Sequence, residues 1–184
     1  QFGYTGLLNF GQVGFAAVGA YGIAISVNYY GWPLWAGILL GLAAAVVLAL
    51  LLGLPTLRLR ADYLAIVTIA AGEIIRLVAR SVTFNDYTGG SAGLSDFAQS
   101  FYDLNPYGGG RHTFGPVQLS SNDLWMVTVG WGVVLLMTLL VWSLMRSPWG
   151  RVLKAIREDE DAVRSLGKNA YWYKMQSLIL GGLL

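Results

Sequence analysis

The sequence predicts an all-α protein, a polytopic transmembrane helical bundle with about four full spans and the start of a fifth. Three observations carry this reading. Hydrophobic types make up 55% of the 184 residues and charged types only 12%, which is too apolar for a soluble domain of this size. Apolar runs of spanning length recur along the chain. The charges that remain are concentrated in connections, above all in residues 146–174, so the formal net charge of +2 speaks to topology and not to nucleic-acid binding.

The first apolar run, Phe2 to Val27, is long enough for one span, with glycine at positions 3, 6, 11, 14, 19 and 22. Ala16, Ala20 and Ala24 lie four apart, a spacing that suits close helix packing in lipid. Asn9 and Gln12 flank Gly11 inside the run, a polar interruption of the kind that marks discontinuous helices along transport paths; a hydrogen bond from these amides to a neighbouring helix would explain them equally well. Tyr29, Tyr30 and Trp32 suit the headgroup level. Pro33 then opens a second span, Leu34 to Leu54, which Pro55 is expected to end. Arg58 and Arg60 mark the cytoplasmic side by the positive-inside rule.

Asp62 is placed to cap the third span, which carries Glu73, Arg76 and Arg80 at helical spacings. A carboxylate near mid-membrane is costly unless it meets protein, water or a cation, so Glu73 is expected to form a buried pair with Arg76. A long polar and aromatic loop follows, about residues 83–122, containing Thr88, Gly89 and Gly90. The fourth span runs from Leu124 to Leu144. His112, the one histidine, has no second ligand at a metal-like spacing and reads as a surface residue. Cysteine is absent, which excludes disulfides, thiolate metal sites and a cysteine nucleophile. No Walker A pattern occurs, since Gly167-Lys168 is followed by Asn169. The chain therefore reads as one membrane domain over 1–184, not an enzyme, with no catalytic residues, metal or cofactor. It starts at Gln1 and stops within the apolar run Leu178 to Leu184, and so reads as part of a longer polypeptide.

Residues 146–170 carry the most information. Ser147 followed by Pro148 is an N-cap and a favourable first helical residue. A first short helix is expected to end near Arg157. The acids Glu158, Asp159, Glu160 and Asp161 then fall at the start of a second helix, where they complement its positive end. Gly167 is placed to end that helix in the left-handed conformation, and Asn169 to cap the next.

This stretch resembles the cytoplasmic EAA loop of ABC importer permeases, which ends as E-A-A, three residues, then Gly. Here the series is Asp161, Ala162, Val163, then Gly167, with the middle Ala and the Gly agreeing literally. The wording GRVLKAIREDEDAVRSLGKN is similar to one branch, the LivM-type permeases of branched-chain amino acid importers. RADYLAIVT followed by GEIIRLV, the T-G-G-x-x-G-L element at Thr88, Gly89, Gly90, Gly93 and Leu94, and the G-A-Y at Gly19 to Tyr21 resemble the same family in the same order.

The resemblance implies the transmembrane permease subunit of an ABC importer in a bacterial or archaeal cytoplasmic (inner) membrane, passing branched-chain amino acids or a similar small polar solute inward. Its implied partners are ABC ATPase subunits, a second permease subunit and a periplasmic or extracellular substrate-binding protein. The implied ATPase-coupling residues are Gly150, Arg151, Ala155, Arg157, Glu158, Glu160, Asp161, Ala162 and Gly167. Candidates for the translocation path are Asn9, Gln12, Glu73, Arg76, Thr88, Gly89 and Gly90. The competing reading is a channel or secondary transporter that uses Glu73 and Arg76 without an ATPase.

Overall fold

Small residues decide how the first long helices meet. The computed structural model describes residues 2–57, 61–90, 92–95, 97–108, 110–114 and 117–184, and excludes the side chains at 2, 61, 62, 111–114, 117 and 118. Its helices are α1 (Phe2–Thr5), α2 (Gln12–Tyr30), α3 (Leu34–Thr56), α4 (Ala61–Arg80), α5 (Asn85–Thr88), α6 (Gln99–Tyr102), α7 (Ser121–Arg146), α8 (Pro148–Glu158), α9 (Glu160–Ser165) and α10 (Ala170–Leu183). Strands β1 (Arg111–Phe114) and β2 (Val117–Ser120) form an antiparallel ribbon before α7. This ribbon is a small exception within an otherwise all-α membrane body.

α2 and α3 pack antiparallel through glycine. A Cβ on Gly22 would come within 2.9 Å of the Gly41 Cα, and one on Gly37 within 2.8 Å of the Ser26 hydroxyl, so the two backbones approach as only small residues permit. Gly37, Gly41, Ala45, Ala49 and Gly53 are all buried, one residue per turn along a single face of α3. Of the expected Ala16, Ala20, Ala24 stripe only Ala24 is buried: Ala16 and Ala20 are exposed, and Gly14, Phe15 and Ser26 complete the buried set. Further along α3, a Cβ on Gly53 would meet the Met175 sulfur at 2.8 Å and Leu178 at 2.9 Å, which seats α10 against it. Phe15, Leu64, Met175 and Leu178 are the large, fully buried side chains where α2, α3, α4 and α10 converge.

Several expected boundaries move. The first run is two helices, because Gly6 takes φ 67° and residues 6–11 are non-helical. Pro55 lies inside α3 and not after it. So near the end its missing N–H breaks little, and the turn closes through Leu57 N–H to Gly53 O at 3.0 Å. α4 already includes Ala61, so position 62 is in the first turn and not at the cap. Arg58 and Arg60 lie outside the described residues, as does the side chain of His112. α7 starts at Ser121, three residues before Leu124, because Ser120 and Asp123 form a capping box.

Among the described residues, three helices, α2, α3 and α7, are long and apolar enough to cross a membrane. α4 has comparable length, 20 residues, but Glu73, Arg76 and Arg80 keep its composition from marking it as a span. α10 runs 14 residues, short of spanning length. α7 stands apart: none of its spanning window is buried, and it meets the rest of the chain mainly at its ends, through β2 and α8.

Candidate functional site

Two neighbouring features concentrate the polar chemistry: the break before α2 and the α8–α9 elbow. Gly41 faces Gly22 and Gly37 faces Ser26, so antiparallel counting sets Gln12 beside the last turns of α3 and the break at the end of that helix. Irregular backbone leaves N–H and C=O groups that need partners. Leu7 is buried in the central cluster, and two backbone N–H groups of the break have side-chain partners. The Phe10 N–H donates to the Thr68 hydroxyl at 3.2 Å, and the Gly11 N–H to the Asn9 side-chain oxygen at 3.0 Å. Thr68, fully buried, in turn donates to Ala65 O at 3.0 Å. Gly11 abuts α4 so closely that a Cβ would sit 2.8 Å from the Thr68 carbonyl carbon.

Asn9 also donates to the Gln12 Oε1 at 3.4 Å, and Gln12 Nε2 donates to the Gly181 carbonyl of α10 at 2.7 Å. Both readings of these amides therefore hold at once: they interrupt a helix and they bond a neighbouring one. With Leu7, Leu8, Phe10 and Leu184 they line a groove of ≈ 630 Å³.

Glu73 and Arg76 do pair, with Arg76 Nε 2.9 Å from Glu73 Oε2 and a second bond making the contact bidentate. The pair is not buried: both side chains are about half exposed (52% and 47%). The reason is positional, since the preceding residue, Gly72, takes the inner face of α4 against Gly14. Neither residue lines the Asn9–Gln12 groove. Thr88, Gly89 and Gly90 lie beyond the end of α4, where the Thr88 hydroxyl donates to Phe84 O and accepts from Gly90 N–H. The seven path candidates thus form three separate groups.

The elbow is built tightly. Ser147 occupies the cap position of α8, but its hydroxyl donates backwards to Leu144 O at 2.6 Å and makes no cap bond. Gly150 is required by the tight α7–α8 corner, where a Cβ would lie 2.7 Å from the Met145 carbonyl carbon. α8 ends at Glu158, one residue past Arg157. Asp159 caps α9, accepting from Asp161 N–H at 3.0 Å and Ala162 N–H at 2.9 Å. Gly167 takes φ 75°; its N–H reaches Arg164 O at 2.9 Å and the Lys168 N–H reaches Val163 O at 3.3 Å, the paired bonds of a Schellman ending. Asn169 caps α10, accepting from Trp172 N–H at 3.2 Å.

Ile156, Val163 and Ala170 form a small core that joins α8, α9 and α10. Arg151, Ala155, Asp161 and Ala162 face solvent. Glu160 has a different part: it bonds Arg164 at 2.8 Å and Lys174 on α10, so it braces the elbow from within. Arg157 pairs with Glu158 and donates to the Gly3 carbonyl of α1. Sequence reasoning missed Thr68, Lys174 as the partner of Glu160, and the Thr5–Ser177 hydroxyl pair at 3.3 Å. Thr68 left a signal, since Ala65, Thr68 and Gly72 share one small-residue face of α4. Thr5 and Ser177, 172 positions apart, left none.

A family model described as the permease component of branched-chain amino acid transport systems matches residues 1–184. The chain belongs to this permease family. It is 38% identical over 175 residues to the high-affinity branched-chain amino acid transport system permease protein LivM of Salmonella typhimurium, and 37% identical to that of Escherichia coli. Each match covers 90% of this chain and 41% of the relative. A probable branched-chain amino acid transport permease protein LivM of Methanocaldococcus jannaschii is 26% identical, with all of this chain and 58% of the relative covered. The permease chain therefore spans roughly half the length of these relatives or less. No solved structure matches it. Family and apolar helices together make it a multi-pass membrane protein.

Proposed function

We propose that this chain is the transmembrane core of an ABC importer permease that passes branched-chain amino acids inward, with the α8–α9 elbow as the contact for a partner ATPase. The single observation that supports this most is the connectivity between elbow and break. One arm runs from Arg157 on α8 to the Gly3 carbonyl of α1, and α1 leads directly into residues 6–11. The second runs from Glu160 on α9 to Lys174 on α10, whose Gly181 carbonyl holds Gln12. A displacement imposed on the elbow reaches the polar break along both. In this reading the elbow is cytoplasmic, the ribbon side is external, the membrane is a bacterial or archaeal inner membrane, and a second permease and an external binding protein complete the importer. The groove at Asn9 and Gln12 contributes to the path; Glu73 and Arg76, already satisfied by each other, are better suited to a protein-facing contact than to a titrating gate.

Gly167→Val tests this reading. No atom lies within 4 Å of a Cβ there, so the change acts through backbone strain alone, about 1–2 kcal/mol for a left-handed residue. Membrane insertion should persist while uptake and ATPase copurification both fall. Wild-type uptake with full ATPase association would remove the elbow from the mechanism.

A further inference from the structure

We propose that the groove between α7 and the α8 corner is a binding site for an anionic glycerophospholipid of the leaflet on the α8 side. The groove measures ≈ 700 Å³, and its floor is apolar, from Val141 and Met145 of α7. Its rim is basic. The Arg146 guanidinium lies over the Trp142 ring, 4.0 Å from the centroid, and Lys154 Nζ lies 5.2 Å from the Tyr4 centroid. Among the described residues, no Asp or Glu side chain lines the groove.

Arg157, Arg164 and Lys174 each hold a carboxylate, whereas Arg146 and Lys154, like Arg151 and Lys168, form no ion pair among the described residues. Arg146 and Lys154 differ in resting on aromatic faces. An aromatic face orients a cation without neutralising it, and leaves its N–H groups free for a phosphate. Trp and Tyr beside paired cations, at the end of an apolar helix, is the arrangement expected at headgroup depth. An apolar floor continuous with a basic rim suits a molecule with both an acyl chain and a phosphate. Free phosphate has no use for the floor, and an apolar helix has none for the rim. The site needs only that α7 spans a bilayer, and stands whether or not the elbow binds an ATPase.

Native mass spectrometry of the full-length permease, loaded with phosphatidylglycerol and phosphatidylcholine of matched chains, tests this. Wild type should prefer phosphatidylglycerol by roughly thirtyfold, the order that two basic side chains near an anionic surface supply. Arg146→Gln with Lys154→Gln should abolish the preference, and Val141→Trp should lower retention of both lipids. A photo-reactive side chain at position 141 should be recovered on phospholipid. A preference unchanged by the charge substitutions, or recovery of position 141 on a protein segment instead of lipid, would overturn the assignment.

Discussion

Gly11→Ala isolates the contact on which the break depends. A methyl at position 11 would lie 2.8 Å from the Thr68 carbonyl carbon and 2.9 Å from its Cβ, well inside the 3.5–4.0 Å at which carbon atoms pack. The obstacle is the backbone of α4, so no rotamer change relieves it, and the helices must separate by about 1 Å to reach ordinary contact. Overpacking of this kind costs about 1–3 kcal/mol. The separation also pulls the Phe10 N–H from the Thr68 hydroxyl, a part-buried hydrogen bond whose loss adds about 0.5–1.5 kcal/mol. Gly11 has φ −88°, which alanine adopts freely, so no backbone strain confuses the result. Gly19→Ala is the matched control: it lies inside α2 with nothing within 4 Å of a Cβ, and alanine favours a helix interior over glycine by about 1 kcal/mol. Thermal unfolding of the full-length permease in detergent, with uptake in cells, should show Gly11→Ala destabilised and impaired and Gly19→Ala neutral or stabilised. Equal behaviour of the two variants would refute the close α2–α4 crossing.

Two further outcomes are expected. Glu160→Gln and Lys174→Met, singly and together, should give a non-additive thermal-stability cycle with about 0.5–3 kcal/mol of coupling; an additive cycle would mean that α9 and α10 are not braced by this pair. A cysteine at Ser100, on the ribbon side of the membrane between α4 and α7, should react with an impermeant thiol reagent in intact cells, and labelling only after the membrane is opened would invert the proposed topology.

How much the sequence disclosed varied with the range of the interactions involved. The elbow was legible because its determinants are local: Pro148 at a helix start, a carboxylate run beside helix N-termini, Gly167 needing a positive φ, and Asn169 before an apolar run. The polar break was legible for the same reason, since Asn9, Gly11 and Gln12 lie within four positions. Packing was not. Gly37, Gly41, Ala45, Ala49 and Gly53 form a regular stripe, but the eye is drawn equally to Ala16, Ala20 and Ala24, and only the partner helix decides which stripe is used. Burial of the Glu73–Arg76 pair was misread because helical spacing shows that two side chains meet without showing which way they face. The capping box at Ser120 and Asp123 was present in the letters and passed over, because a long polar loop was allowed to run on into it. Glu160 reads locally only as one of the acids at the start of α9, because its partner Lys174 lies on the next helix, beyond the reach of local pattern.

The account's central claim is that motion of the elbow is transmitted to the break. Residues 1–184 contain no cysteine, so one introduced at Asn9 in the assembled complex, with any cysteine elsewhere in the complex replaced, reports on the break alone. Its reaction rate with a small thiol reagent, measured before and after ATP is added, is the most direct readout. ATP should change that rate in the otherwise native complex, and the change should be lost when Arg157→Gln and Glu160→Gln sever both arms while the ATPase remains bound. An ATP-dependent change that survives with both arms cut, or no change at Asn9 in a complex that transports, would contradict the claim.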